Sequence, residues 1–448
     1  MFGILNSIKK VKYRSANRLC CAFICFIAGP LVISGCATYS QNFKVVEKEL
    51  AAQQPQKALK ALEKQYSDSG ADAVLYYLNK GMLLRMDKHY AESNAAFEKA
   101  QKLIDELDAV SVSEQASSLT INDTFKSYIG EDFEQVLLHL YKAFNYLDLG
   151  QPYEARVEVL QVGERLQRLT QSSNTAVYRQ DAFAQYISGI IYEELGEWSD
   201  ALISYRKAYE AYEKYRVTFG VAVPKSLKFA LLRLTERQGL TDELNTYRKK
   251  FGIDTWPTVN DLLAKGQLIF ILNNGLVSMK QEKSVNTVDP KSGRLIRIAL
   301  PAYRPRLENV TGVRVRIEKD KEIYAEVVEN INAIAIKTLQ AELPVITARA
   351  IARAVLKYQA SRKAEKKDQA LGVLMNVAGL VTERAATRSW STLPYDIFMA
   401  RVPLEPGKYD MVVELLDRTG KVASTNNYPS IDIEKGKYTY INSYWVSR

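Results

Sequence analysis

The segment SGIIYEELGEWSDALISYRKA, residues 188–208, constrains the fold of this chain of 448 residues more than any other stretch. Small residues at Gly189 and Ala201 let two antiparallel helices approach closely, and Gly196 supplies the turn between them. Trp198, Tyr205 and Ala208 then face the seam and the next unit. The same frame returns at 81–100 through Gly81, Leu84, Tyr90, Ser93, Phe97 and Ala100. It returns more loosely at 143–159 through Ala143, Tyr146, Gly150, Ala155 and Val159, with Pro152 at the aromatic position. Residues 43–65 read as a further helical hairpin turning near Pro55, and 226–251 as a closing one turning at Gly239. Such hairpins cannot bury their apolar faces singly, so they stack on their neighbours.

The pattern resembles the tetratricopeptide repeat, and it predicts an α-solenoid over 43–255. In that setting the 27 tyrosines are mostly hairpin packing residues with a polar tip. After Trp256-Pro257 the texture changes. GQLIFILNNG (266–275), RLIRIALPAY (294–303) and VTGVRVRIE (310–318) are short β-branched runs bounded by Gly, Pro and Asn, and they read as strands. A helical insertion is expected at about 345–385. DIFMARVPLEPGKYDMVVELLDRTGK (396–421) reads as two strands around a Pro406-Gly407 turn, and IDIEKGKYTYINSYWV as another pair. The predicted fold class is therefore mainly α, an α-solenoid followed by an α+β domain over 256–448, with a small sandwich as one arrangement of its strands.

The N-terminal region carries a different message. Lys9, Lys10, Lys12, Arg14 and Arg18 precede the uncharged run LCCAFICFIAGPLVISG, and Cys36 follows directly. A basic stretch, a short apolar stretch and small residues make an export signal. The run is short for a spanning helix and is broken by Gly29 and Pro30; a single-pass anchor is the alternative. Ile33-Ser34-Gly35-Cys36 resembles the lipobox of bacterial lipoproteins. The resemblance implies cleavage between Gly35 and Cys36, a signal peptide at 1–35, acyl chains on Cys36 and a tether at 36–42. Cys20, Cys21 and Cys25 would leave with the signal, so neither a disulfide scaffold nor a cysteine nucleophile is expected. Ala37 stands where an Asp commonly retains lipoproteins at the inner membrane, which implies an outer-membrane anchor with the folded part facing the periplasm.

Composition excludes several classes. With 47% hydrophobic and 25% charged residues the chain is neither disordered nor a multi-span membrane protein. Much of its net charge of +10 belongs to the signal, which weakens a nucleic-acid reading. Two histidines, His89 and His139, give little material for a triad or a zinc site. Ser204 and Lys207 match a short SxxK pattern, but inside the best repeat helix. No cofactor and no metal is expected.

Three surfaces remain as candidate recognition sites. Arg349, Arg353 and Lys357 recur every four residues and read as a basic helix face, for an acidic partner or simply for solvent. LGVLMNVAGLV (371–381) reads either as an element that enters a membrane or a partner's groove, or as a core helix packed through Gly372, Ala378 and Gly379; the core reading is preferred. Arg388 and Trp390 lie in a polar, aromatic loop that either recognises a partner or caps the strands.

QLIFILNNGLV, IRIALPAYRP, ITARAIARAVLKY and TRSWSTLPYDIFMARVPLEPGKYD resemble segments of tetratricopeptide-containing outer-membrane lipoproteins of Gram-negative bacteria. The resemblance implies a non-enzymatic scaffold in envelope maintenance: assembly, secretion or regulation of cell-wall synthases. It implies protein partners in the repeat groove, drawn from cell-wall synthesis or envelope assembly. The alternative is an enzyme acting on peptidoglycan or polysaccharide through carboxylates of the C-terminal domain.

Overall fold

A computed structural model describes residues 39–114, 126–172, 178, 180–289, 294–318 and 321–447. The signal region, Gly35 and Cys36 lie outside the described residues. The fold begins earlier than the expected boundary at 43. Tyr39 is buried in a helical turn, α1 (Tyr39–Asn42), and its hydroxyl accepts from Asn79 Nδ2 at 2.9 Å. The tether reading of 36–42 therefore fails from Tyr39 onward.

Helices then follow in pairs: α2 (Lys44–Ala51) with α3 (Pro55–Gln65), and α4 (Ala73–Met86) with α5 (Tyr90–Glu114). After them come α6 (Asp132–Asp148) with α7 (Pro152–Ser172), α8 (Ala182–Glu194) with α9 (Trp198–Thr218), and α10 (Lys225–Arg237) with α11 (Thr241–Phe251). Three pairs share one packing device. A Cβ at Gly81 would lie 2.4 Å from the Phe97 ring, and one at Gly189 2.3 Å from the Tyr205 ring. In the pair between them Ala143 and Val159 stand at the same spacing of sixteen residues, and both are buried. Gly150 and Gly196 make their turns at φ +71° and +75°. Ala100, Ala155, Ala201 and Ala208 are wholly buried in the seams.

The first helices of the three middle pairs, α4, α6 and α8, are buried on more than one side. Every residue from Ala182 to Glu193 in α8 is buried. A helix buried all round needs cover on both sides. Its partner helices supply one side, and the C-terminal part supplies the other.

After the short α12 (Val259–Ala264), strands β1 (Gly266–Asn274), β2 (Lys280–Val288), β3 (Leu295–Tyr303), β4 (Val310–Ile317), β5 (Lys321–Tyr324) and β6 (Glu326–Glu329) precede the helices. β7 (Asp396–Leu404), β8 (Gly407–Asp417), β9 (Val422–Ile433) and β10 (Tyr438–Trp445) follow them. One sheet runs β10-β1-β7-β6 and another β5-β4-β8-β9, while β2 and β3 form a separate hairpin. The tail is not the expected strand pair. β9 belongs to the second sheet, and β10 crosses to lie parallel to β1. The charged β2 escaped the sequence reading because it carries little apolar signal.

β1 is buried at every position, and its alternation sorts its side chains between two cores. Leu268, Phe270 and Leu272 join Val313, Val315, Met411 and Val413 of the second sheet. Ile269 and Ile271 join the core of the helical pairs.

Between β6 and β7 stand α13 (Ile331–Glu365) and α14 (Gln369–Thr382). The insertion thus starts at Ile331, where Asn330 caps the helix by accepting from the Ala333 N–H, and not near 345. Pro344 lies inside it. The carbonyl it leaves without a donor belongs to exposed Gln340, where water can serve it.

Candidate functional site

The inner face of the helical pairs is where sequence places a partner. The structure fills it with the chain's own sheet. β10 crosses the C-terminal ends of three successive first helices, presenting alternate side chains to them. The Tyr440 hydroxyl donates to Glu194 of α8 at 2.7 Å. Asn442 Nδ2 donates to Asp148 of α6 at 2.9 Å. The Tyr444 hydroxyl accepts from Arg85 Nε of α4 at 2.7 Å. Arg85 is itself buried, with Asp148 at 2.8 Å and Asn145 at 2.6 Å.

β7 adds a second set of contacts. The Arg401 guanidinium reaches Glu193 at 2.8 Å, and Glu193 also meets Arg233 at 2.6 Å and the Tyr205 hydroxyl at 2.5 Å. Burial would push Glu193 up. The two guanidiniums outweigh it and hold the carboxyl at about 2, so Glu193 is ionised at all ordinary pH. Glu194, next in sequence, has no such pair of cations; burial pushes it up to about 7 against the Tyr440 bond and Arg401. Elsewhere Tyr141 donates to Asn273 at 3.0 Å, and Tyr212 to the Val328 carbonyl at 2.9 Å.

The loop after α14 is also part of this seam. Trp390 is wholly buried against Phe97 and Tyr141, and its backbone N–H donates to Glu134 at 2.8 Å. Arg388 donates to Asp72 at 3.1 Å and to the Lys126 carbonyl at 2.8 Å. Arg388 and Trp390 therefore hold the two halves together and do not form a recognition surface. The basic stripe is dismantled too. Arg353 is buried, and it and Lys357 both face Glu383, at 3.5 Å and 2.7 Å. Of the predicted stripe, Arg349 alone is exposed.

The remaining candidates separate. Tyr90 and Trp198 are half-buried, each under a guanidinium, that of Arg85 and of Arg237 respectively. His89 is exposed beside Asp87. His139 meets Glu158 at 2.8 Å, and Glu158 also binds Lys142 at 2.8 Å. Burial would raise Glu158, but His139 and Lys142 bring it below the usual range. Ser204 is buried while Lys207 is exposed, so they share no site. Asp181 and Glu329 are both wholly buried, with Glu329 raised far above the usual range first by burial and then by the nearby Asp181. Among the described residues, no group of three or more His, Cys, Asp or Glu is placed to hold a metal.

Glu193, Arg85, Asn79 and Arg401 escaped sequence reasoning. For Arg85 and Glu193 the signal was present: a charge inside an apolar helical run, as in GMLLRM and GIIYEEL, marks a buried partner elsewhere in the chain.

No family model matches the chain, and no curated protein is similar to it. Among solved structures it is similar to a MamA RS-1 double mutant at 14% identity, over 47% of this chain and 91% of that one, with a TM-score of 0.31. It is similar to MamA from Desulfovibrio magneticus RS-1 at 14% identity, over 47% and 89%, with a TM-score of 0.29. For NprR in complex with its cognate peptide NprX the identity is 11%, the shares 55% and 75%, and the TM-score 0.19. Likenesses of this size do not extend to function.

Proposed function

We propose that the protein is a non-catalytic envelope scaffold, lipid-anchored to the outer membrane through Cys36 and facing the periplasm. It acts in envelope assembly, secretion or cell-wall synthase regulation. One observation carries the scaffold reading. The inner face of the helical pairs is bonded in cis to β10 and β7, which makes the repeats and the sheets one body with its free surface outside. Partners are therefore sought on that outer surface and not in the groove, which corrects the sequence expectation. The anchor rests on the lipobox-like Ile33-Ser34-Gly35-Cys36 and on Ala37. The carboxylate-enzyme reading has less support: Asp181 and Glu329 are wholly buried, out of reach of a sugar.

The test is in cells. Metabolic labelling with a fatty-acid analogue should mark the chain and fail to mark Cys36→Ala. Label that persists in the alanine variant sinks the anchor. In-cell crosslinking should capture envelope proteins on outer residues such as Tyr153 and Val217, which are 69% and 83% exposed. Adducts confined to residues of the inner helices, with the fold intact, would restore the groove as the binding site.

A further inference from the structure

α14 has the wrong surface for the place it occupies. Its sequence QALGVLMNVAGLVT contains no charge, yet only Gly372 is buried. A Cβ at Gly372 would lie 2.6 Å from Glu365, and one at Gly379 3.7 Å from Lys357, so the helix sits on α13 through a narrow line of small residues. Leu374 is 65% exposed, Val373 57%, Val377 50% and Val381 50%. The preferred core reading of 371–381 is thus overturned. On α13, Ile351 and Val355 continue the apolar surface, at 46% and 48% exposure. A helix apolar all round is stable only against apolar surroundings, and an exposed patch of this kind marks an interaction site.

We infer that α14 and the adjoining end of α13 lie in the surface of an anionic phospholipid bilayer. Two observations select that occupant. First, charge surrounds the apolar surface. Arg362, Lys363, Lys366 and Lys367 are exposed at the turn between the helices, while the acids there are engaged: Glu365 pairs with Arg294, and Asp368 accepts from the Ala370 N–H. The rim is cationic and suits anionic headgroups; a second copy of the same turn would repel it. Second, the base of α14 adjoins the start of the described chain. Ser40, Lys44, Val381 and Arg384 line one recess of about 500 Å³. Cys36 lies three residues before Tyr39, within about 11 Å of chain reach. Acyl chains on Cys36 would enter the bilayer beside α14. That placement rests on the proposed lipid anchor, whereas the exposed apolar surface and its charge do not.

The geometry also sets the depth. At about 1.5 Å per residue α14 is near 21 Å long, less than a hydrocarbon core of about 30 Å. Among the described residues no helix is long and apolar enough to cross a membrane. α14 therefore lies along the interface, adding a second attachment to the acyl chains and fixing which side of the molecule faces the bilayer.

The experiment places a photo-crosslinking amino acid at Val373, Leu374 or Val377 of the full chain in cells, with Val217 as control. The adducts are then sorted by mass. Phospholipid adducts at the α14 positions, absent at Val217, are the expected result. Protein adducts in their place identify a protein groove as the occupant and overturn the inference. The absence of any adduct at all three positions overturns it as well. Fatty-acid labelling of Cys36 is read on the same samples. Label without lipid adducts sinks this inference and leaves the anchor; lipid adducts without label do the reverse. Reversing Arg362, Lys363, Lys366 and Lys367 to Glu should cut the lipid adduct at Leu374 about fivefold or more. The purified full chain in vesicles of phosphatidylethanolamine should show the same loss when phosphatidylglycerol is left out. An unchanged yield in both would refute the anionic headgroup.

Discussion

A single added methyl group separates two kinds of glycine in this protein. At Gly189 a Cβ would stand 2.3 Å from the Tyr205 ring, and that ring cannot retreat, because its hydroxyl is bonded to Glu193 and Arg401. Gly189→Ala should cost about 1–3 kcal/mol through overpacking. At Gly163, inside α7, nothing lies within 4 Å of the added Cβ. Gly163→Ala should stabilise by about 0.5–1 kcal/mol, since a helical glycine loses more entropy on folding than alanine does. Thermal denaturation of the two variants should show shifts of opposite sign; shifts of the same sign would mean that the seam at Gly189 is not as tight as described. The tight glycines were legible in sequence, since Gly189, Tyr205 and Gly81, Phe97 recur at a fixed spacing. Arg388 and Trp390 were not. A polar, aromatic loop reads alike whether it meets water or the far half of the chain, and only the position of Phe97 and Glu134 decides.

At the scale of elements, β10 joins three helices through side chains of unlike charge state, and this gives its attachment a pH dependence. Burial pushes Glu194 up to about 7, well above its value of about 4.5 in an unfolded chain. The folded state then holds the proton more tightly than the unfolded state. Its contribution to stability is complete below about pH 4.5 and is lost as pH rises through about 7. Glu134 and Asp396, also raised to about 7 chiefly by burial, act with the same sign. Glu193, held at about 2, stays ionised in the folded state over that window and acts with the opposite sign, only near its unfolded value of about 4.5. Glu194→Gln keeps an acceptor for the Tyr440 hydroxyl and removes the titration. Chemical denaturation at pH 5 and pH 8 should show the difference between them shrink by about 1–3 kcal/mol in the variant. An undiminished difference would show that Glu194 titrates normally. The helices and most strands of this region could be read from periodicity. The place of β10 could not, because IDIEKGKYTYINSYWV looks like a hairpin until β1 is seen to offer a parallel edge. α14 was misread for a related reason: LGVLMNVAGLV has the composition of a core helix, and composition does not say which solvent surrounds it.

Across the whole molecule, the line between repeats and sheets is a boundary in sequence and not in cohesion. β1 sends Ile269 and Ile271 into the core of the helical pairs and Leu268, Phe270 and Leu272 into the core between the sheets. β7 does the same with Ile397 and Met399 on one side and Phe398, Ala400 and Val402 on the other. Neither core can be taken apart without undressing strands that belong to the other. Arg401, buried beside Glu193 and Arg233, adds a charge that water would have to reach at the moment of separation. Removing one member of such a set leaves buried charge unpaired, at a cost of about 3–5 kcal/mol. The described fold should therefore unfold in one calorimetric transition, with calorimetric and van't Hoff enthalpies in agreement. Arg401→Met should lower the midpoint of that transition without splitting it. Two resolved transitions in the parent chain would mean that the repeats stand without the sheet, and that the inner face opens to partners after all.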